Sequence, residues 1–244
     1  MLRVLDLFSG IGGFSLGLER TGGFKTVAFC EIEEFPRRVL AKHWSGVPIY
    51  DDVRTLTGAR LAADGIAVDV ICGGFPCQDV SESGPKIGLD GAKSGLWREY
   101  ARLIRELRPA VAVVENVTGL LYRGLGEVLE DLAEIGYDAE WHSLPATVVA
   151  LPQTRDRVWI IAYPGEGRQQ ASDEWISSRS GPILGPVHDR LGEAQAAAQA
   201  CSRWAGRRDD GVPAWVDRVA ALGNAVVPQI PELIGRAILE ARAA

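Results

Sequence analysis

The arrangement of apolar residues constrains the fold of this chain more than any other feature. From residue 3 to residue 162, short β-branched runs alternate with longer stretches of helical periodicity, the pattern of a mostly parallel sheet wound with crossover helices on both faces. Strands are expected at 3–8, 25–30, 68–74, 110–116, 137–144 and 157–163. Between them, 13–22, 33–44, 96–107 and 125–136 read as helices, and the last three carry an acidic or polar residue near the first turn, as the helix dipole favours. The character then changes: residues 164–211 are rich in Gly, Ser, Gln, Ala and Arg with few β-branched runs, which reads as an inserted lobe or long functional loop. Apolar periodicity returns afterwards and closes in a helix with Pro231 in its first turn. The expected organisation is therefore a main α/β domain over 1–163, a small lobe over 164–212, and a segment over 213–244 that rejoins the main domain.

Composition works by exclusion. With 47% hydrophobic and 24% charged residues over 244 positions, the chain can build one sizeable core and a small second lobe. No apolar run approaches the ~20 residues that cross a bilayer, and Asp6 interrupts the first one, so neither a membrane partner nor a secretory leader is expected. Cys30, Cys72, Cys77 and Cys201 form no CxxC pair, which points to no zinc or other metal site, no disulfide framework and a reducing cytoplasm. The formal charge of −6 argues against gripping nucleic acid by bulk positive charge. Even the stretch from Tyr163 to Val212 holds six Arg and no Lys against seven acids, so any phosphate-binding groups must be concentrated in a cleft. Composition alone favours a small-molecule enzyme.

The motifs are more specific. Asp6 to Phe14 follows the first strand and opens the first helix, and Gly10, Gly12 and Gly13 there allow a tight turn and close backbone approach to a ligand. The run is not the full dinucleotide fingerprint, and such turns also occur in domains that bind nothing there. Glu31 closes the second strand about 20 residues on, where a carboxylate can accept hydrogen bonds from ribose hydroxyls. Asp52, in the next linker, could accept from an exocyclic amino group. Singly, Glu31 could be a helix N-terminal acid and Asp52 a solvated turn residue; together and in this order they describe an adenosine site without a pyrophosphate anchor.

Cys77 follows the apolar strand at 68–74 on a backbone stiffened by Pro76, at the sheet edge where ligands bind. A thiol is suited to attack an electron-poor carbon, being partly ionised near neutrality and intrinsically nucleophilic. Cys30 and Cys72, inside apolar runs, read instead as core residues. Glu115 and Asn116 end another apolar strand at the same edge, and a glutamate there is expensive to bury without a partner. Gln153 and Arg155 precede the last strand and share a face; the alternative is that Glu115 and one Arg form a purely structural ion pair. Residues 78–95 interleave Ser81, Ser83, Lys86, Lys93 and Ser94 with glycines, suiting either a lid that contacts phosphates or a plain solvated loop.

These residues resemble the DNA (cytosine-5)-methyltransferase family, in particular its short phage or restriction-modification members. The matching elements stand in family order: DLFSGIGG, Glu31, DDV, GGFPCQ, GLW, ENV, QTRDR and GNAVVP. The least covered part, 164–211, lies where the family keeps its target-recognition region. GVPAWVDRVAAL stands where many members carry an RExxRLQ-like segment. The resemblance implies an α/β, class I S-adenosylmethionine-dependent methyltransferase (Rossmann-like) sheet. It implies contacts from S-adenosylmethionine to Phe8, Gly10, Ile11, Gly12 and Gly13, with Glu31 on the ribose and Ile32, Asp52 and Val53 around the adenine. Pro76, Leu96 and Asn224 would complete that pocket.

In the implied reaction Cys77 adds to C6 of a flipped cytosine in double-stranded DNA, Glu115 contacts N3 and the exocyclic amine, and Arg155 or Arg157 holds O2. Gln78, Ser81, Asn116 and Gln153 would touch the DNA. S-adenosylhomocysteine is the product, no metal takes part, and a separately encoded restriction endonuclease, a monomeric state and a cytoplasmic setting in a bacterium or phage-infected cell are expected. Two alternatives stand beside this reading. A transfer-RNA cytosine-5 methyltransferase would keep the same Cys and Glu, although the Cys-Phe-Thr tripeptide of that group is absent. A remnant that binds DNA or S-adenosylmethionine without activity is opposed by the intact Cys77, Glu115 and Arg155.

Overall fold

The computed structural model describes residues 1–76, 94–149, 156–165 and 225–243. Its strands are β1 (Leu2–Leu7), β2 (Phe24–Cys30), β3 (Ile49–Tyr50), β4 (Val70–Gly74), β5 (Val111–Val117), β6 (Tyr137–Pro145) and β7 (Asp156–Pro164). The helices are α1 (Gly13–Arg20), α2 (Glu34–His43), α3 (Gly58–Ala63), α4 (Trp97–Leu107), α5 (Leu120–Arg123), α6 (Leu125–Ile135) and α7 (Gln229–Ala243). Single-turn 3₁₀ segments at 94–96 and 146–149 flank α4 and follow β6.

The strands form one sheet in the order β3-β2-β1-β4-β5-β7-β6. Neighbours from β3 to β5 are parallel, whereas β7 runs antiparallel to both β5 and β6. The chain winds outward from β1 through β2 to β3, then returns to lay β4 on the other side of β1. That reversal is the topological switch point where open α/β sheets open a crevice at their carboxyl ends. Because β7 is reversed, the chain leaves β6 and enters β7 at this same edge.

Both faces of the sheet are covered, as the apolar strand composition requires. One face buries Leu5, Leu7, Ile71, Ala112, Val114 and Ile160 under α4 and α6, which contribute Trp97, Tyr100, Leu103, Ile104, Val128 and Leu132. The other buries Val4, Val70, Val111, Val113, Trp159 and Ile161 under Phe14 and Leu18 of α1 and Ile230, Ile234 and Ile238 of α7. α7 packs on α1, with Gly17 so close to the carbonyl of Pro228 that no side chain fits at 17. Acids in the first turns of α2 (Glu34), α4 (Glu99), α6 (Glu127) and α7 (Glu232) suit the positive ends of those helices. α6 stops at Gly136, whose φ of 89° gives the left-handed C-terminal turn glycine adopts without penalty.

Candidate active site

The glycine turn between β1 and α1 is shaped by hydrogen bonds local to the loop. Ser9 Oγ donates to the Asp6 carbonyl at 2.6 Å, and the Gly12 N–H donates to the Ser9 carbonyl at 2.9 Å. Gly12, at the α1 N-cap position, has φ 85° and offers no side-chain cap. The acceptor comes instead from β1: Asp6 Oδ2 receives the Ser15 hydroxyl at 2.7 Å and its N–H at 3.3 Å. Asp6 is wholly buried, and burial, opposed by the Ser15 hydrogen bonds and reinforced by Glu31 and Glu19, pushes its pKa up to about 8. This carboxyl, which caps the helix from the strand that precedes it, carries no role in the motifs; its signal is an acid inside an apolar strand, four residues before Gly10.

Glu31, at the carboxyl end of β2, ties the loop to the neighbouring strand. Its Oε2 accepts the Gly10 N–H at 2.7 Å and its Oε1 accepts the Glu33 N–H at 2.8 Å. Each oxygen keeps a second lone pair for a hydroxyl donor. Ile32 next to it is 60% exposed, a large apolar surface presented at the sheet edge. Asp52 lies nearby with both oxygens held by the Arg54 guanidinium, at 2.6 to 3.0 Å, and that hydrogen-bonded pairing lowers its pKa. Val53 is buried, and its carbonyl accepts from Arg102 of α4 at 2.9 Å.

An aromatic series spans the switch point. Phe8, with φ 51°, stacks on Tyr100 at 6.4 Å; Tyr100 stacks on Trp97 at 5.7 Å; and Trp97 meets Phe75 at 5.5 Å. The Tyr100 hydroxyl donates to the Val113 carbonyl at 3.1 Å and Trp97 Nε1 to Asp131 at 2.7 Å, so α4 links the residue after β1 to the residue after β4. Leu96, the N-cap of this helix, packs partly buried against the same core. None of these aromatic contacts was readable from the motifs.

Glu115 sits beside Gly74 in the register of β4 and β5. A Cβ built on Gly74 would lie 2.6 Å from Glu115 Oε2, so only glycine lets the carboxylate lie across β4 at this level. Arg157, which pairs from β7 with Val117 of β5, reaches back with Nε 2.9 Å from Glu115 Oε1. Asn116 is buried with its amide used on the backbone: Nδ2 donates to the Phe75 carbonyl at 3.1 Å and Oδ1 accepts the Val117 N–H at 2.8 Å. It holds the exit from β4, one residue before Pro76.

The structure thus brings Phe8, Gly10, Ile11, Gly12, Gly13, Glu31, Ile32, Asp52, Val53, Pro76, Leu96, Glu115, Asn116 and Arg157 to one edge of the sheet. Cys77, Gln78, Ser81, Gln153, Arg155 and Asn224 lie outside the described residues. Cys30 and Cys72 are buried free thiols with raised pKa values, Cys30 to about 12, chiefly through desolvation, which leaves both unreactive core residues. Among the described residues no group of three or more His, Cys, Asp or Glu could hold a metal, and no helix is long and apolar enough to cross a membrane.

The strand order with a reversed β7 and the glycine turn at the switch point define the class I S-adenosylmethionine-dependent methyltransferase fold. The Dnmt2 methyltransferase of Schizosaccharomyces pombe superposes with a TM-score of 0.65 over 98% of each chain at 14% identity, a likeness of fold. The chain belongs to the C-5 cytosine-specific DNA methylase family, whose model matches residues 2–187. Among curated relatives, the Type II methyltransferase M2.BsuMI of Bacillus subtilis is 36% identical over 66% of this chain and 42% of its own length. M.Eco47II of Escherichia coli is 36% identical over 72% of this chain and 42% of its own. The chain therefore spans less than half the length of these relatives.

Proposed function

We propose that the protein is a DNA (cytosine-5)-methyltransferase that uses S-adenosylmethionine. The observation that carries this reading is the Glu115–Arg157 pair, 2.9 Å apart, lying over Gly74 three residues before Cys77 in the chain. Membership in the family supports it.

The residues at the β1 and β2 ends fit the methyl donor. The Cβ direction at Gly10 meets nothing within 4 Å, Glu31 retains lone pairs for two ribose hydroxyls, and Ile32 offers an apolar face for the adenine. Phe8, Ile11, Val53, Pro76, Leu96 and Asn224 complete the set proposed to hold it. When bound, S-adenosylmethionine supplies an electrophilic methyl group on a sulfonium.

The chain's own groups do the rest. A cytosine inside a duplex hides C5 and C6, so it must be extruded at a cost of a few kcal/mol. The Cys77 thiolate adds to C6, forming a C–S bond and pushing electron density toward N3 and O2. Glu115 contacts N3 and the exocyclic amine, while Arg155 or Arg157 stabilises the charge developing at O2. C5 becomes nucleophilic and would accept the methyl group, with S-adenosylhomocysteine as the leaving thioether; loss of the C5 proton to water then breaks the C6–S bond, restores the aromatic ring and returns Cys77 as the thiolate. Gln78, Ser81 and Gln153 are proposed DNA contacts. Residues 164–212 are proposed as target-recognition region and 213–244 as the segment rejoining the catalytic domain. We place the enzyme in the cytoplasm as a monomer beside a separately encoded endonuclease.

The test is transfer of tritiated methyl groups from S-adenosylmethionine to duplex DNA, to transfer RNA, or to neither. Label on duplex DNA is expected, lost in Cys77→Ser with cofactor binding retained, and reduced on the order of 10²-fold or more in Glu115→Gln. Label on transfer RNA alone, or full turnover by Cys77→Ser, would overturn the reading.

A further inference from the structure

The glycine loop is gripped from outside by a residue that belongs to none of the motifs. Trp44 ends α2, where its N–H closes the helix on the Leu40 carbonyl at 2.8 Å. A Cβ built on Gly12 would lie 2.6 Å from both Cη2 and Cζ3 of the indole, so the flat ring rests on the Gly12 backbone. The ring is itself held on two sides. Its Nε1 donates to Glu19 Oε2 at 2.9 Å, and its edge meets Phe29 with centroids 5.2 Å apart at 65°. The second oxygen of Glu19 accepts the Thr26 N–H at 2.9 Å, so one carboxylate joins α1, β2 and the indole. By contrast, the Cβ direction at Gly10 is open. Gly12 is thus required by the protein's own packing, whereas Gly10 faces open space.

We propose that Trp44 is a positioning residue for cofactor binding: clamped by Glu19 and Phe29, its indole holds Gly12 in the left-handed conformation that closes the loop. The proposal rests on the reading of the loop as the S-adenosylmethionine site. Among the described residues the ring meets Gly12, Glu19, Phe29 and His43, none of them placed at the reacting base, so it acts through preorganisation of the loop, which affects affinity before chemistry.

The experiment uses the full chain with Trp44→Leu, Trp44→Phe and Trp44→Ala. Calorimetry with S-adenosylmethionine is expected to show dissociation constants raised about tenfold in the Leu and Ala variants. In Trp44→Phe, which keeps a flat ring on Gly12, most of the affinity should return. At saturating cofactor and DNA, kcat should stay within about twofold of the parent, a split that general loss of structure does not produce. Hydrogen exchange of the Gly12 amide, bonded to Ser9, should quicken in the Leu variant before cofactor is added. If Trp44→Ala lacks a cooperative melt, the Leu variant, which keeps apolar bulk, carries the test. An unchanged dissociation constant in Trp44→Leu would overturn the proposal, as would kcat falling in step with affinity. Should the parent bind no S-adenosylmethionine, the functional reading fails, while the clamp is still decided by Gly12 exchange: unchanged exchange in the Leu variant overturns it.

Discussion

Glu31 and Asp6 hold the same loop by different means, and each has a consequence that can be measured. Replacing Glu31 with Ala removes the acceptor of the Gly10 and Glu33 N–H groups as well as the proposed ribose contacts. Cofactor affinity should fall by roughly 1 to 3 kcal/mol, with a loss of thermal stability beside it; calorimetry that finds the dissociation constant unchanged would move the adenosine site elsewhere. Asp6 bears on pH. Its folded pKa of about 8 lies above its ordinary value of 3.8, so between those limits the folded state holds a proton that the unfolded chain has released. The stability Asp6 contributes is complete below its ordinary value and is lost as pH rises toward 8, by at most about 1.4 kcal/mol per pH unit. Asp52, Asp69 and Glu106 have lowered values and act in the opposite sense, at pH below the ordinary carboxylate range. Asp6→Asn keeps an acceptor for Ser15 and cannot ionise, so melting temperatures from pH 5 to 8 should flatten relative to the parent. A slope that survives the substitution would assign it to another group.

At the scale of elements, the alternation of apolar runs was nearly sufficient. The strand expected at 157–163 is β7 at Asp156–Pro164, and that at 110–116 is β5 at Val111–Val117. What escaped the sequence is short: β3 has two residues, α3 six and α5 four, too few to show a period. α3 is nevertheless capped, Thr57 Oγ1 accepting the Arg60 N–H at 3.1 Å. The direction of β7 was equally invisible, because a strand buried on both faces reads the same either way. Glu115 and Arg157 illustrate the limit at the site: an ion pair between Glu115 and one Arg stood among the readings of the sequence, and the pair is present, but which Arg takes part depends on that reversed register. The segment carrying Asp52 and Val53 shows a further long-range dependence, since Arg102 donates to the Val53 and Leu56 carbonyls at 2.9 Å while Glu106 accepts the Gly58 N–H at 2.7 Å. Arg102→Met should cost about 1.5 to 3 kcal/mol of unfolding free energy in urea and weaken cofactor binding through Val53. An unaltered urea midpoint would show that the segment stands without α4.

For the whole molecule, charge sets how the proposed DNA substrate would be held. The net charge is −6, and Tyr163 to Val212 carries six Arg against seven acids. Arg168, Arg179, Arg203, Arg207 and Arg208 are the candidate phosphate contacts, and Asp209 and Asp210 stand beside the last two. Affinity for a cognate duplex should be modest and its salt dependence shallow, corresponding to a few released counterions rather than the ~6 to 10 of an extensive binder. Binding isotherms at several salt concentrations test this, and a steep slope would contradict it. The seating of residues 226–228 on α1 sets a condition of another kind. A Cβ on Gly13 would lie 2.5 Å from the Val226 carbonyl oxygen, and Gly17 is packed against Pro228, contacts that join positions more than two hundred residues apart. Such distant pairs form late, because a long loop of chain must be closed before they gain anything. On the ribosome, the first strand and its turn emerge long before the residues that cover α1. Until those arrive, Phe14 and Leu18 lack their partners Ile230 and Ile234, and apolar surface that is buried in the finished protein stands open to premature association.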